Sequence, residues 1–93
     1  MILSFRCDET RRIWHGTASP RFPSEIQENV RRKLRMVDAA VGLMDLRALP
    51  GNRLEKLSGD REGQWSIRVN DQYRICFTWH EGDAGGVELV DYH

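Results

Sequence analysis

The clearest periodicity in the chain is helical. Ile26, Val30, Leu34, Val37 and Val41 follow one another at spacings of four, four, three and four, which lays a single apolar stripe along one helix face. Arg31, Arg32 and Arg35 fall on the opposite face. Pro23 followed by Ser24, with Gln27 three residues on, reads as the start of that helix with a capping box. Upstream, Ile2, Leu3 and Phe5 predict a short first strand. Asp8 is placed to cap a short helix over 9–15 that Gly16 stops, and 17–23 reads as a loop. Downstream, Gly42 permits a break, and 43–49 reads as a short extra turn before Pro50-Gly51.

Beyond residue 52 the period changes to two. Residues 53–57 form a strand candidate that Ser58-Gly59-Asp60 ends. Trp65, Ile67 and Val69 alternate with Ser66 and Arg68, and Asn70-Asp71 marks a turn. Tyr73, Ile75, Phe77 and Trp79 then alternate with Arg74, Cys76 and Thr78; 82–86 reads as another turn and 87–92 as a last strand. Helices followed by a strand meander predict an α+β domain, with two to three N-terminal helices packed on one face of a twisted, mainly antiparallel β-sheet. The apolar residues of both central strands then point at the helices. Arg68 and Arg74 fall together on the other face.

Ninety-three residues suffice for one domain, 1–93, with a small core. An apolar fraction of 40% excludes a disordered chain. No run of apolar residues is long enough for a membrane helix, and no secretory leader is visible, so a soluble, cytoplasmic protein without membrane contact is expected. Cys7 and Cys76 lack paired spacing and are expected to be buried, unreactive thiols. His15, His80 and His93 show no ligand spacing with them, and neither a P-loop nor a dinucleotide fingerprint occurs, so no metal and no cofactor is expected.

Fourteen basic residues balance fourteen acids, and zero net charge argues against a nucleic-acid binder. Its distribution reverses that inference. Residues 1–35 carry a net +4 and residues 36–93 a net −4, and twelve of the fourteen basic residues are arginine. Guanidinium forks favour specific phosphate or carboxylate contacts over bulk attraction. On the open sheet face Arg68 and Arg74 either clamp a phosphate or pair across strands with Glu88 and other carboxylates, and pattern alone favours the pairing.

Four stretches together narrow the choice: MILSF at the start, RRKLRMVDAA in the helix, PGNRLEKLSGDREGQWSIRVNDQYRICFTW over 50–79, and VELVDYH over 87–93. In combination they resemble the HigB toxins, the plasmid-maintenance branch of the RelE superfamily, over nearly the whole chain. The resemblance implies a RelE-like microbial RNase fold and a ribosome-dependent endoribonuclease that cuts mRNA in the decoding site of the 70S ribosome. It also implies a helix-turn-helix antitoxin of the HigA type, two toxins per antitoxin dimer, and operator DNA bound only through that antitoxin.

Metal-free RNA cleavage needs a base for the 2′-hydroxyl, an acid for the leaving 5′-oxygen and fixed cations for the phosphorane. Arg74 and Arg68 are candidates for the phosphate clamp. Asp91, Tyr92 and His93 set an acid, a phenol and an imidazole at the end of the last strand. Some members of the family carry a histidine and, three residues later, a lysine before the glycine turn; the matching positions here are Glu55 and Ser58. The expected catalytic set is therefore Glu55, Arg74, Asp91, Tyr92 and His93, with Lys56, Arg61 and Arg68 as RNA contacts. Glu55 and Lys56 are expected to face opposite ways on a regular strand.

Overall fold

The structure is a computed structural model and describes residues 1–92. Three α-helices precede a four-stranded sheet: α1 (Asp8–Trp14), α2 (Ser24–Ala39), α3 (Leu43–Arg47), β1 (Glu55–Lys56), β2 (Gln64–Arg68), β3 (Tyr73–His80) and β4 (Asp83–Asp91). The strands lie in the order β1-β2-β3-β4, each antiparallel to its neighbour. Helices first and a meander after is the α+β architecture that the change of period predicts.

One face of the sheet makes the core. Ile67, Ile75 and Leu89 align across three strands, and with Phe77 and Val87 they pack against Ile13, Val30, Leu34 and Val37 of α1 and α2. The stripe on α2 is real for its three central members, which are fully buried; Ile26 is half-buried, and Val41 lies beyond the helix end and is 83% exposed. The helix stops at Ala39 because the chain becomes extended at Ala40, so the fifth member of the stripe loses the face it would have shared.

Several local expectations change in the folded chain. Gln27 does not close a capping box; its carboxamide is buried and bonds the backbone of Ser19 and Phe22, fastening the α1–α2 loop. Asp8 lies inside α1, bonded to Arg11, and Cys7 takes the cap position. The segment 2–5 is no strand, but two isolated parallel bridges, Ile2 to Ala84 and Phe5 to Val87. The strand expected over 53–57 shortens to Glu55–Lys56. The turn after β3 is the residue pair Glu81-Gly82, both with positive φ (49° and 86°), as a two-residue hairpin of this twist requires. The later glycines belong to β4, which carries an extra residue opposite Phe77, where Gly86 has φ 55°. That bulge resets the alternation, so Ala84, Val87 and Leu89 all reach the core. Cys76 is buried and its thiol is pushed up by burial, whereas Cys7 is only half-buried, with Arg21 Nη1 donating to its Sγ.

Candidate functional site

The open face of the sheet inherits every second residue of the meander. Glu55 stands opposite Ser66, Ser66 opposite Cys76, and Cys76 opposite Glu88; one step along, Arg68 stands opposite Arg74 and Arg74 opposite Val90. At the end where β2 turns into β3, these residues and the chain after β4 enclose a cleft of about 330 Å3 lined by Arg53, Glu55, Arg68, Asn70, Asp71, Arg74 and Tyr92.

Arg74 is its floor. The residue is only 8% exposed, and burying a guanidinium is costly unless its donors find acceptors. Its Nε donates to Ser66 Oγ at 2.7 Å and its Nη2 to the Arg53 carbonyl at 2.6 Å. The Glu55 carboxylate lies 3.4 Å from Nη2. The expected carboxylate pairing of Arg74 is thus present, with Glu55 and not Glu88, while Nη1 has no hydrogen bond to a described residue. Arg68 donates to Asp71 at the rim. Asn70 builds the turn between the two arginine strands, its Oδ1 accepting the N–H groups of Gln72 and Tyr73. Tyr92 is tied by its N–H to the Gln72 carbonyl at 2.6 Å and is 43% exposed.

Beneath this end of the sheet lies a buried polar anchor. Asn52 is fully buried, accepts a hydrogen bond from Lys33 Nζ and donates to the Leu46 carbonyl at 3.1 Å. Its own carbonyl accepts the Arg68 N–H at 2.6 Å. Burial first, then Arg32 and Arg68, hold the Lys33 ammonium below its ordinary range.

Of the eight residues singled out from the sequence, four meet here: Glu55, Arg68, Arg74 and Tyr92. Asp91 does not join them. Alternation turns it to the opposite side of β4, where Gln72 Nε2 donates to its carboxylate at 3.0 Å and it lines a second cavity of about 400 Å3 with Arg21, Phe22 and Tyr73. Lys56 turns away from Glu55, as its strand parity requires, and lies 6.0 Å from the centre of the Trp65 ring. Arg61 reaches over the open face to Glu88 at 2.7 Å and to Gln64 at 3.2 Å, and the bond to Glu88 raises its pKa further. His93 lies outside the described residues. No group of three or more His, Cys, Asp or Glu side chains converges among the described residues, nor is any helix there long and apolar enough to cross a membrane.

Three lining residues were not among the sequence candidates: Arg53, Asn70 and Asp71. Arg53 stands two residues before Glu55, which on an extended segment is the same face. Asn70 and Asp71 mark a turn in the sequence, and a turn joining two strands that each carry an open-face arginine must border whatever those arginines bind.

A family model described as "RelE-like toxin of type II toxin-antitoxin system HigB" matches residues 3–93. Over 62 residues the chain is 52% identical to "Toxin HigB-1" of Vibrio cholerae, a stretch that covers 67% of this chain and 65% of that protein. It is 31% identical to "Endoribonuclease HigB" of Proteus vulgaris over 93 residues, the full length of both. In fold it is similar to a chain of a "YoeB-YefM complex from Staphylococcus aureus" (TM-score 0.63, 17% identity, covering 100% of this chain and 95% of that one). A YoeB/ParE toxin from Agrobacterium tumefaciens is similar too, at TM-score 0.60 and 14% identity, covering 99% and 98%.

Proposed function

We propose, from the premise that this chain belongs to the HigB-like family of RelE-like toxins of type II toxin–antitoxin systems, that it is an endoribonuclease acting on mRNA in the 70S ribosome. The observation that carries this reading is the cleft itself: a nearly buried arginine, whose Nη1 no described residue engages, stands beside a carboxylate and a tyrosine. The full-length relative named an endoribonuclease supports the same reaction class.

In this mechanism the scissile phosphate enters against Arg74. Ser66 and the Arg53 carbonyl hold two edges of that guanidinium, so the remaining N–H groups are already aimed when charge builds on the phosphorane. Arg68, directly opposite on β2, adds a second cation once it exchanges Asp71 for phosphate. Glu55 takes the 2′-hydroxyl proton as the oxygen attacks phosphorus, and the 5′-oxygen leaves with a proton from the β4 end. Tyr92 stands at that end, and His93 follows it in sequence with an imidazole whose ordinary pKa of about 6.5 suits proton donation. No step requires a metal or cofactor. Asp91, on the far side of β4, acts by fixing the strand end that carries Tyr92. Lys56 and Arg61 lie outside the cleft and meet RNA only beyond the scissile phosphate.

The partner in such a system is an antitoxin. We assign it the helix-turn-helix, HigA-like type, with two toxins per antitoxin dimer, operator DNA bound through the antitoxin, and a cytoplasmic site of action.

The test is a purified translation system with a defined message, mapped by primer extension. Wild-type protein is expected to cut the ribosome-bound message and leave free message intact, and Glu55→Ala is expected to cut at least about tenfold more slowly while melting at the wild-type temperature. Translation arrested with uncut message identifies inhibition by occupancy and refutes the nuclease. Unchanged cutting by the variant removes Glu55 from the mechanism.

A further inference from the structure

We infer that Arg53 is a phosphate-contact residue of the cleft, engaging an RNA backbone phosphate that flanks the scissile one; the inference rests on the nuclease reading above. Three arginines line the cleft, and two are committed. Arg74 is held by Ser66, the Arg53 carbonyl and Glu55, and Arg68 by Asp71. The Arg53 side chain makes no hydrogen bond or ion pair with any described residue, although its segment also carries Glu55 and Asp71 lies across the cleft. An exposed, uncommitted guanidinium facing a cleft is the group an incoming phosphate meets at lowest desolvation cost.

The backbone at this position supports the same conclusion. Arg53 has φ 44°, a left-handed conformation that β-carbon-bearing residues adopt at a cost and that glycine adopts freely. The conformation has two results. It turns the Arg53 carbonyl onto Arg74 Nη2 at 2.6 Å, and it leaves the side chain on the cleft. A glycine would satisfy the first result alone, and at less strain. An arginine there is explained by what its side chain does, and strain kept at a functional site is the common pattern. Depth separates the two contacts: Arg74, 8% exposed, takes the phosphate that enters, and exposed Arg53 takes its neighbour at the mouth. A backbone contact carries no sequence information, so Arg53 affects how tightly message is held and not which codon is cut.

The experiment compares wild type, Arg53→Gly and Arg53→Lys for thermal melting and for cleavage of ribosome-bound message across toxin concentration. Arg53→Gly is expected to melt no lower than wild type and to need at least about tenfold more protein for half-maximal cutting, by the same factor at every cleaved codon. Arg53→Lys, keeping the charge, is expected to recover part of that loss. Arg53→Gly cutting as wild type does, or Arg53→Lys no better than Arg53→Gly, overturns the inference while the nuclease stands. Wild type leaving ribosome-bound message uncut overturns both.

Discussion

The buried pair Lys33–Asn52 offers a sharp energetic test, because nearly all of its cost is electrostatic. Lys33 is 5% exposed and Asn52 is fully buried. No carboxylate pairs with Lys33 among the described residues; its ammonium has the Asn52 Oδ1 atom instead. Replacing Asn52 with leucine, of similar size, removes that acceptor and strands the charge. Breaking a buried polar pair on one side costs about 3–5 kcal/mol. The upper end is capped, since Lys33 escapes by releasing its proton: bringing an ordinary lysine to neutrality at pH 7 costs about 5 kcal/mol, at 1.36 kcal/mol per unit. The Leu46 carbonyl also loses its donor, worth about another 1 kcal/mol. Lys33→Met alone is expected to cost less, about 1–3 kcal/mol, because it leaves a neutral amide oxygen orphaned in place of a charge. The double variant Lys33→Met/Asn52→Leu removes both groups and is expected to return to within about 2 kcal/mol of wild type. The assay is urea unfolding of all four proteins, read as a double-mutant cycle with a coupling of about 3 kcal/mol or more. An Asn52→Leu cost below about 1 kcal/mol, or single costs that simply add in the double variant, refutes the reasoning.

The same lysine gives the stability of the protein a definite pH dependence. Its pKa is lowered by burial, Arg32 and Arg68 from the ordinary 10.5, so just below 10.5 the unfolded chain binds more protons than the folded one. The Lys33 contribution to stability therefore rises with pH through that window; wild type minus Lys33→Met, followed by urea unfolding at stepped alkaline pH, is expected to show this rise. Cys76, with its thiol raised from 9.0 by burial, contributes with the opposite sign above 9.0, and it cancels in the comparison because both proteins carry it. Arg61→Ala tests the open-face arginine that lies outside the cleft. Its pair with Glu88 is part-exposed (31% and 17% for the two side chains), so the loss is expected to be about 1 kcal/mol, a melting shift of about 4–8 °C. Cleavage well below the melting range is expected to stay within about twofold of wild type, because Arg61 lies outside the cleft and is assigned only a peripheral contact; a tenfold loss would place it at the scissile phosphate.

How much of this was legible in the sequence depends on the scale of each interaction. Strand parity put Arg68 and Arg74 on one face and Glu55 and Lys56 on opposite faces, because the pleat fixes alternate directions whatever the surroundings. Parity also turns Asp91 away from Tyr92, so proximity in sequence misled where the alternation did not. That Arg68 and Arg74 pair with carboxylates was legible, but which carboxylate each takes, Asp71 and Glu55 and not Glu88, depends on register and on the bulge in β4, which are tertiary properties. Gln27 resembled half of a capping box; only the loop folded over α2 shows that its amide serves the Ser19 and Phe22 backbone. The two-residue spacing from Glu55 points to the side chain of Arg53 but not to its backbone. Nothing in its neighbours signals a left-handed backbone at a residue that is not glycine.

The two bridges that seal the edge of β4 have a consequence for the birth of the protein. Ile2 pairs with Ala84 and Phe5 with Val87, contacts about as remote in sequence as this chain allows, and such contacts form late because a long loop must close first. At about 5–20 residues per second of synthesis, residues 2–5 wait on the order of 4–16 s for their partners to be made. Arg74 and Tyr92 belong to the same late half. A growing chain therefore holds no assembled cleft until β3 and β4 have both emerged. The topology itself delays the assembled cleft until residues 84–92 have been made.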